Sequence, residues 1–258
     1  MKSLKTKSPL TMRGSSSIFV TILLGSLPLF ILVLVSFSGY AQTSKATTVI
    51  ELFTSQGCSS CPAADDLLNK LVEENEDIIA LSFHVSYWNY LGWKDPYSSE
   101  QFTERQRTYA SVKNTNSIYT PQMIVDGREE FVGSDKKMLT KSIEASKTRK
   151  ATYNISATVS IEKAVIKVNY NTGKGVNNED INLALVEKYN ENYVPRGENK
   201  GLTLKHHNVV RKFVTQTLEK SGVISLSIPA NFDIRKSFLV LYIQNKGLQT
   251  KGAVKVNL

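Results

Sequence analysis

Between residues 47 and 147 the spacing of apolar residues alternates between strand-like and helix-like, and each change marks an element. Thr47 to Thr54 is β-branched and apolar and predicts a strand, with Ser55-Gln56-Gly57 as the turn that ends it. From Ala63 to Glu74, Leu67, Leu68, Leu71 and Val72 recur at helical spacing. Ile78 to Val85 is an almost unbroken apolar run, the pattern of a strand covered on both faces, and a crossover through the helix lays it parallel to the first. Ser98 to Asn114 reads as a helix capped by Ser98 or Ser99, with Phe102, Tyr109 and Val112 on its apolar side. Met123 to Val125 and Glu130 to Val132 read as strands around an Asp126-Gly127 turn. Ser134-Asp135 then caps a helix running through Met138, Leu139 and Ile143.

Helical spacing stops at Arg149. Seven short alternating segments follow: Ala151–Ile161, Val165–Tyr170, Ile181–Glu187, Leu202–Phe213, Val223–Ile228, Phe238–Gln244 and Ala253–Val256. Their Asn-, Gly- and Lys-containing turns suggest an antiparallel sandwich. The pattern therefore predicts an α/β domain over residues 46–148 followed by an all-β, antiparallel, sandwich-like domain over residues 151–258.

One apolar run fits neither domain. Ile18 to Phe37 carries no charge, Lys2, Lys5, Lys7 and Arg13 precede it, and Ser38-Gly39-Tyr40-Ala41 places small residues before Gln42. Residues 1–41 read as a signal peptide. A run of about 20 apolar residues also spans a bilayer, so an N-terminal transmembrane anchor with its basic flank inside stands as the second reading. Either way the rest of the chain is expected on the exported side, periplasmic or secreted, where disulfides persist. Contact with a membrane is expected only through an uncleaved N-terminal segment.

The net charge of +9 shrinks once the four leader cations are set aside, leaving 28 basic and 23 acidic residues in the exported part. The basic residues are scattered, so a solvated surface is the expectation and no nucleic-acid partner is implied. No organic cofactor is implied.

Cys58-Ser59-Ser60-Cys61 holds both cysteines of the 258-residue chain, between a predicted strand and a predicted helix. A helix start offers positive potential and free N–H groups that stabilise a thiolate, which makes Cys58 the expected nucleophile. Cys61 lies one turn on, placed to resolve a mixed disulfide, and Pro62 suits a first helical turn. As a staple the bond closes a very short loop, worth roughly 2 kcal/mol on the chain-entropy model. As a zinc site it lacks a second CxxC, with His84, His206 and His207 as the available histidines.

Further candidates surround the pair. His84 ends the second strand, on the edge where the CxxC turn opens, either tuning a thiolate, joining the cysteines as a soft-metal ligand, or satisfied within the sheet. Tyr87, Trp88, Tyr90, Trp93 and Tyr97 either line a groove or close over a core. Lys94-Asp95-Pro96 reads as a turn into the next helix. His206 and His207 are adjacent on a strand, face opposite ways and read as structural. Arg196-Gly197-Glu198-Asn199 either docks the two halves or holds a ligand.

Thr54 to Pro62, His84 to Pro96 and Tyr119-Thr120-Pro121-Gln122-Met123, continuing into Arg196 to Asn199 and Leu204 to Arg211, resemble the DUF1223 family of secreted, thioredoxin-like proteins. The resemblance spans essentially the whole exported chain. It implies a thioredoxin-like fold for residues 46–148, a cis proline at Pro121 beside the disulfide, and a partner-binding edge shaped by Thr120 and Pro121. Ser59-Ser60 departs from the Gly-Pro usual between thioredoxin's cysteines.

The reading that results is thiol–disulfide exchange through Cys58 and Cys61 with the thiols or disulfides of exported proteins. Its alternatives are a redox-inactive binding or assembly module with a structural disulfide, and copper handling by Cys58, Cys61 and His84.

Overall fold

Single residues set the helix starts. Pro62 occupies the first position of α1 (Pro62–Glu74), where its missing N–H costs nothing. Ser99 caps α2 (Glu100–Val112) by accepting from Gln101 N, and Asp135 caps α3 (Lys136–Lys147) by accepting from Met138 N.

The computed structural model describes residues 43–46, 48–115, 117–175, 177–230 and 232–258. The expected leader, residues 1–41, lies outside the described residues. Among those described, no helix is long and apolar enough to cross a membrane.

The first part of the described chain supplies β1 (Thr43–Ala46), β2 (Thr48–Thr54), β3 (Ile78–His84), β4 (Gln122–Val125) and β5 (Glu129–Val132). After α3 come β6 (Ser156–Glu162), β7 (Val165–Asn171), β8 (Asp180–Tyr193), β9 (Thr203–Thr217), β10 (Ser221–Ser227), β11 (Ser237–Gln244) and β12 (Thr250–Asn257). As the apolar patterns predict, β2 and β3 pair in parallel; β4 runs antiparallel to β2.

The expected fold class is wrong in its main point. Residues 46–148 do not close into a thioredoxin-like α/β domain, and the later strands do not form a sandwich of their own. One mixed sheet runs β1-β12-β11-β8-β9-β3-β2-β4-β5, so strands from both halves of the chain share nine positions in it. Among the described strands, β10, β7 and β6 form a second, smaller sheet.

The join is at β3, which pairs with β2 on one edge and runs parallel to β9 on the other through Ser82 and Val209. All seven residues of β3 are buried. An edge strand so apolar would expose a row of unpaired backbone groups, and β9 covers it.

Alternation along the strands sorts the core into layers. On one face, Phe53, Phe83, Val186, Val210, Phe213 and Tyr242 form a continuous apolar layer with Phe102 and Tyr109 of α2, reaching across strands from both halves. On the opposite face, Leu52, Met123 and Val125 pack under α1 and α3 through Leu68 and Leu139. Farther along that face, Leu183, Leu239 and Leu241 pack against the small sheet through Ile166, Val168 and Ile224.

Within the first layer the Arg105 guanidinium donates to Glu51 at 2.6 and 2.7 Å, and to the Tyr242 hydroxyl at 2.8 Å. Four aromatic rings lie within 5.7 Å of it, Phe213 nearest at 4.5 Å. A buried ion pair this fully bonded ties α2 to strands of both halves.

Candidate functional site

The site grows from the turn after β2. Gly57 N donates to Ser55 Oγ at 3.1 Å, Cys58 N to Ser55 O and Cys61 N to Cys58 O, which winds the chain directly into α1. Cys58 and Cys61 are joined by a disulfide with their Cα atoms 5.4 Å apart, within the usual span for such a bond. Both are buried, at 1% and 0% exposure, while Ser59 and Ser60 between them face solvent. Cys61 caps α1 with no side-chain bond to the first-turn amides, so that positive end lies beside the disulfide. The Ser60 hydroxyl is 3.4 Å from Cys58 Sγ.

Two walls flank the turn. The Thr120–Pro121 peptide bond is cis, and Pro121 O accepts from Gly133 N at 2.8 Å. A Cβ placed on Gly133 would lie 3.0 Å from Ala64 Cβ and 3.1 Å from Pro121 Cβ, so the prolyl ring and the first turn of α1 meet across this glycine. Trp88 forms the second wall. Its Cβ approaches Gly57 so closely that a side chain there would meet it at 2.9 Å, and its Nε1 donates to Thr120 Oγ1 at 2.7 Å.

Beneath the turn lies a buried polar floor. His84 Nδ1 lies 2.7 Å from Asp95 Oδ2, and Asp95 also accepts from Gln56 N and Tyr97 N, each at 2.9 Å. His206 packs edge-on to His84 with ring centroids 4.7 Å apart, and its Nε2 lies 3.2 Å from Gln56 Nε2. Its Nδ1 is 3.5 Å from Asp65 Oδ2, an ion-pair distance that forms no well-directed hydrogen bond. Gln56 Nε2 reaches Asn192 at 3.4 Å, and Gln56 Oε1 accepts from Trp93 Nε1 at 3.0 Å.

Burial pushes the His84 pKa down, but the charge and hydrogen bond of Asp95, with Asp65 beyond, outweigh it against Arg211 and leave the pKa raised. Burial pushes the Asp95 carboxyl up. The His84 charge and hydrogen bond, with the two backbone N–H donors, bring it below its ordinary value.

A loop from the far half of the chain closes the site. Asn199 Nδ2 donates to Gln56 O at 3.0 Å and to Cys58 O at 2.8 Å, and Glu198 accepts from Ser59 N at 3.0 Å. Hydrogen bonds from the Ser59 side chain and then its backbone hold the exposed Glu198 carboxyl below its ordinary pKa. The disulfide turn is thus built from both halves of one sheet.

The family described as "Protein of unknown function (DUF1223)" matches residues 49–244. The chain belongs to the DUF1223 family. The X-ray crystal structure of a structural-genomics target from Agrobacterium tumefaciens is 27% identical, covers 83% of this chain and 95% of its own, and superposes with a TM-score of 0.62. A domain of the outer membrane lipoprotein Omp28 from Porphyromonas gingivalis matches 43% of this chain and 90% of its own at 14% identity, with a TM-score of 0.26. A comparison with curated proteins found no match.

In this DUF1223 chain, Cys58, Cys61, Thr120, Pro121 and His84 fall in one region, the last reached through Asp95 and Gln56. Among the described residues no group of three or more His, Cys, Asp or Glu side chains is placed to hold a metal ion, with Cys58 and Cys61 joined to each other in the disulfide.

Asp95, expected as a turn residue, is the hub of the floor, and His206, read as structural, is packed against His84. His207 does face the other way, toward Tyr189. Glu198 and Asn199 dock onto the CxxC turn, the first of the two uses open to that loop. Among the aromatics, Trp88 and Trp93 hold the site by hydrogen bonds, while Tyr90 is 76% exposed. Nothing local to His206 signals its packing against His84.

Proposed function

We propose that this DUF1223 chain is an exported thiol–disulfide exchanger acting on protein thiols or disulfides through Cys58 and Cys61. The observation that carries the reading is the position of the disulfide. It closes a loop with a sequence separation of 3, too short to add much stability, and it sits at the uncapped start of α1 with the Ser60 hydroxyl beside Cys58 Sγ.

In the oxidising direction a partner thiolate attacks Cys58 Sγ. The bond to Cys61 breaks, and Cys61 Sγ leaves with the electron pair as a thiolate at the positive end of α1. A second partner thiolate attacks the partner's own sulfur in the mixed disulfide and releases Cys58 as a thiolate. Two partner thiols become a disulfide, and the Cys58–Cys61 disulfide becomes a dithiol. The reverse sequence reduces a partner disulfide. Thr120, Pro121 and Trp88 form the wall against which the partner chain lies during the exchange.

A second reading, an inert structural disulfide in a binding module, is favoured by the burial of both sulfurs. Exchange therefore needs the exposed Ser59-Ser60 turn to lift from Glu198 and Asn199. The two readings separate in one experiment. Cys61→Ser keeps the Cys58 thiol but cannot resolve, so it accumulates reducible covalent adducts with exported proteins, while Cys58→Ser does not. Absence of adducts in both variants assigns the bond to structure.

A further inference from the structure

At the other end of β2 from the disulfide, roughly 15 Å along the strand, lies a cavity of about 70 Å³. Its walls come from the start of β2, the turn between β4 and β5, the segment after α3, and the start of β12. Main-chain hydrogen bonds hold these segments in place. Thr250 N donates to Asp126 O at 2.9 Å, and Thr152 N donates to Lys251 O at 2.7 Å. Gly127, at φ +69°, lies so close to the Leu248 carbonyl that a Cβ would fall 1.8 Å from its oxygen.

The charge of this cavity is one-sided. Arg128, Arg149, Lys150 and Lys251 line it, against the single carboxylate of Asp126. Asp126 is already engaged by Val49 N, the Ser146 hydroxyl and Arg149. Arg149 also pairs with Glu129 at 3.2 Å. No ion pair of Arg128, Lys150 or Lys251 is formed among the described residues. Arg128 Nε and Thr250 Oγ1 are buried polar atoms without a hydrogen-bond partner there. A buried donor left unsatisfied costs about 1–3 kcal/mol, so folds keep one where a ligand or solvent answers it.

We propose that this cavity binds a small inorganic oxyanion, phosphate or sulfate, held by Arg128, Lys150, Lys251 and the Thr250 hydroxyl. The volume suits this ligand. Holding one water takes about 10–15 Å³, so the space takes a single tetrahedral ion and excludes a nucleotide. A guanidinium beside two ammonium groups matches its charge and its several acceptor oxygens.

The test is calorimetric titration of the whole exported chain with sodium phosphate and, separately, sodium sulfate, with sodium chloride at matched ionic strength as the reference. Saturable one-site binding of either oxyanion, weakened at least about tenfold by Arg128→Gln and by the exposed Lys150→Gln but not by Lys70→Gln on α1, supports the site and names the ion. If Arg128→Gln does not fold, Lys150→Gln carries the comparison. Heat or thermal stabilisation that never saturates, or that is equal in all variants, reports the general exclusion of such salts from protein surfaces and overturns the proposal.

Discussion

His84 Nδ1 and Asp95 Oδ2 lie 2.7 Å apart, and both side chains are shut off from solvent. Asp95 also holds the backbone of Gln56, two residues before Cys58. The pair therefore joins the end of β3 to the disulfide turn. Losing one partner leaves the other buried without its counter-charge, which costs about 3–5 kcal/mol. Asp95→Asn should lower stability by that amount in urea titration and should speed reduction of the disulfide by dithiothreitol.

The same pair gives stability a pH dependence. His84 is raised in the fold, so its contribution is complete below its unfolded pKa of about 6.5 and fades as pH rises through the folded value. Asp95 is depressed, so its contribution is complete above about pH 4 and fades as pH falls through the folded value. The wild type should be most stable between about pH 4 and 6.5 and should lose stability as pH rises above about 6.5. In Asp95→Asn that loss on the alkaline side should disappear. Asp65, Arg211, His206 and Tyr97 face His84 as well, and equal slopes in both proteins would mean that the His84–Asp95 pair does not set the dependence.

Gly133→Ala should move the wall of the site. Its new methyl would meet Leu52 Cδ1 at 2.8 Å, Ala64 Cβ at 3.0 Å and Pro121 Cβ at 3.1 Å. Overpacking of this kind costs about 1–3 kcal/mol. Because the strain falls between Pro121 and α1, exchange with a peptide thiol should slow more than exchange with the small dithiothreitol, as stopped-flow rates would show.

Asn199→Ala should loosen the turn. It removes the donor shared by Gln56 O and Cys58 O, at a stability cost of about 1–3 kcal/mol. Lifting of the Ser59-Ser60 turn becomes easier, so the rate of reduction by dithiothreitol should rise by about tenfold. A rate unchanged from wild type would mean that this loop does not limit access.

Arg105→Met should separate stability from chemistry. The variant leaves Glu51 buried without its cation, and unfolding measurements should show a loss of about 3–5 kcal/mol. The exchange rate of the folded variant should match wild type, since Arg105 lies in the layer beneath α2, away from the disulfide turn.

Local pattern carried the elements well. The Ile78–Val85 run, the Ser99 and Asp135 caps and the Pro62 start appear as their residue types require. Assembly was the part that misled, because strand alternation states which face is buried and not which strand lies alongside. Nothing in the Val209 neighbourhood marks it as the partner of Ser82, and that one parallel contact turns two expected domains into one sheet. The site followed the same rule. Cys58 and Cys61 were legible because their chemistry is local and Pro121 through the family resemblance, whereas Asp95, His206 and Asn199 gain meaning only from contacts across 11 to 150 positions of chain.

The central claim is that the Cys58–Cys61 couple exchanges electrons under exported conditions. Its reduction potential, measured by equilibration of residues 42–258 in glutathione and dithiothreitol buffers, tests this most directly. The account predicts a value above about −300 mV, in the range of exchange-active couples, while a value below about −300 mV would make the bond a permanent structural one and contradict the account.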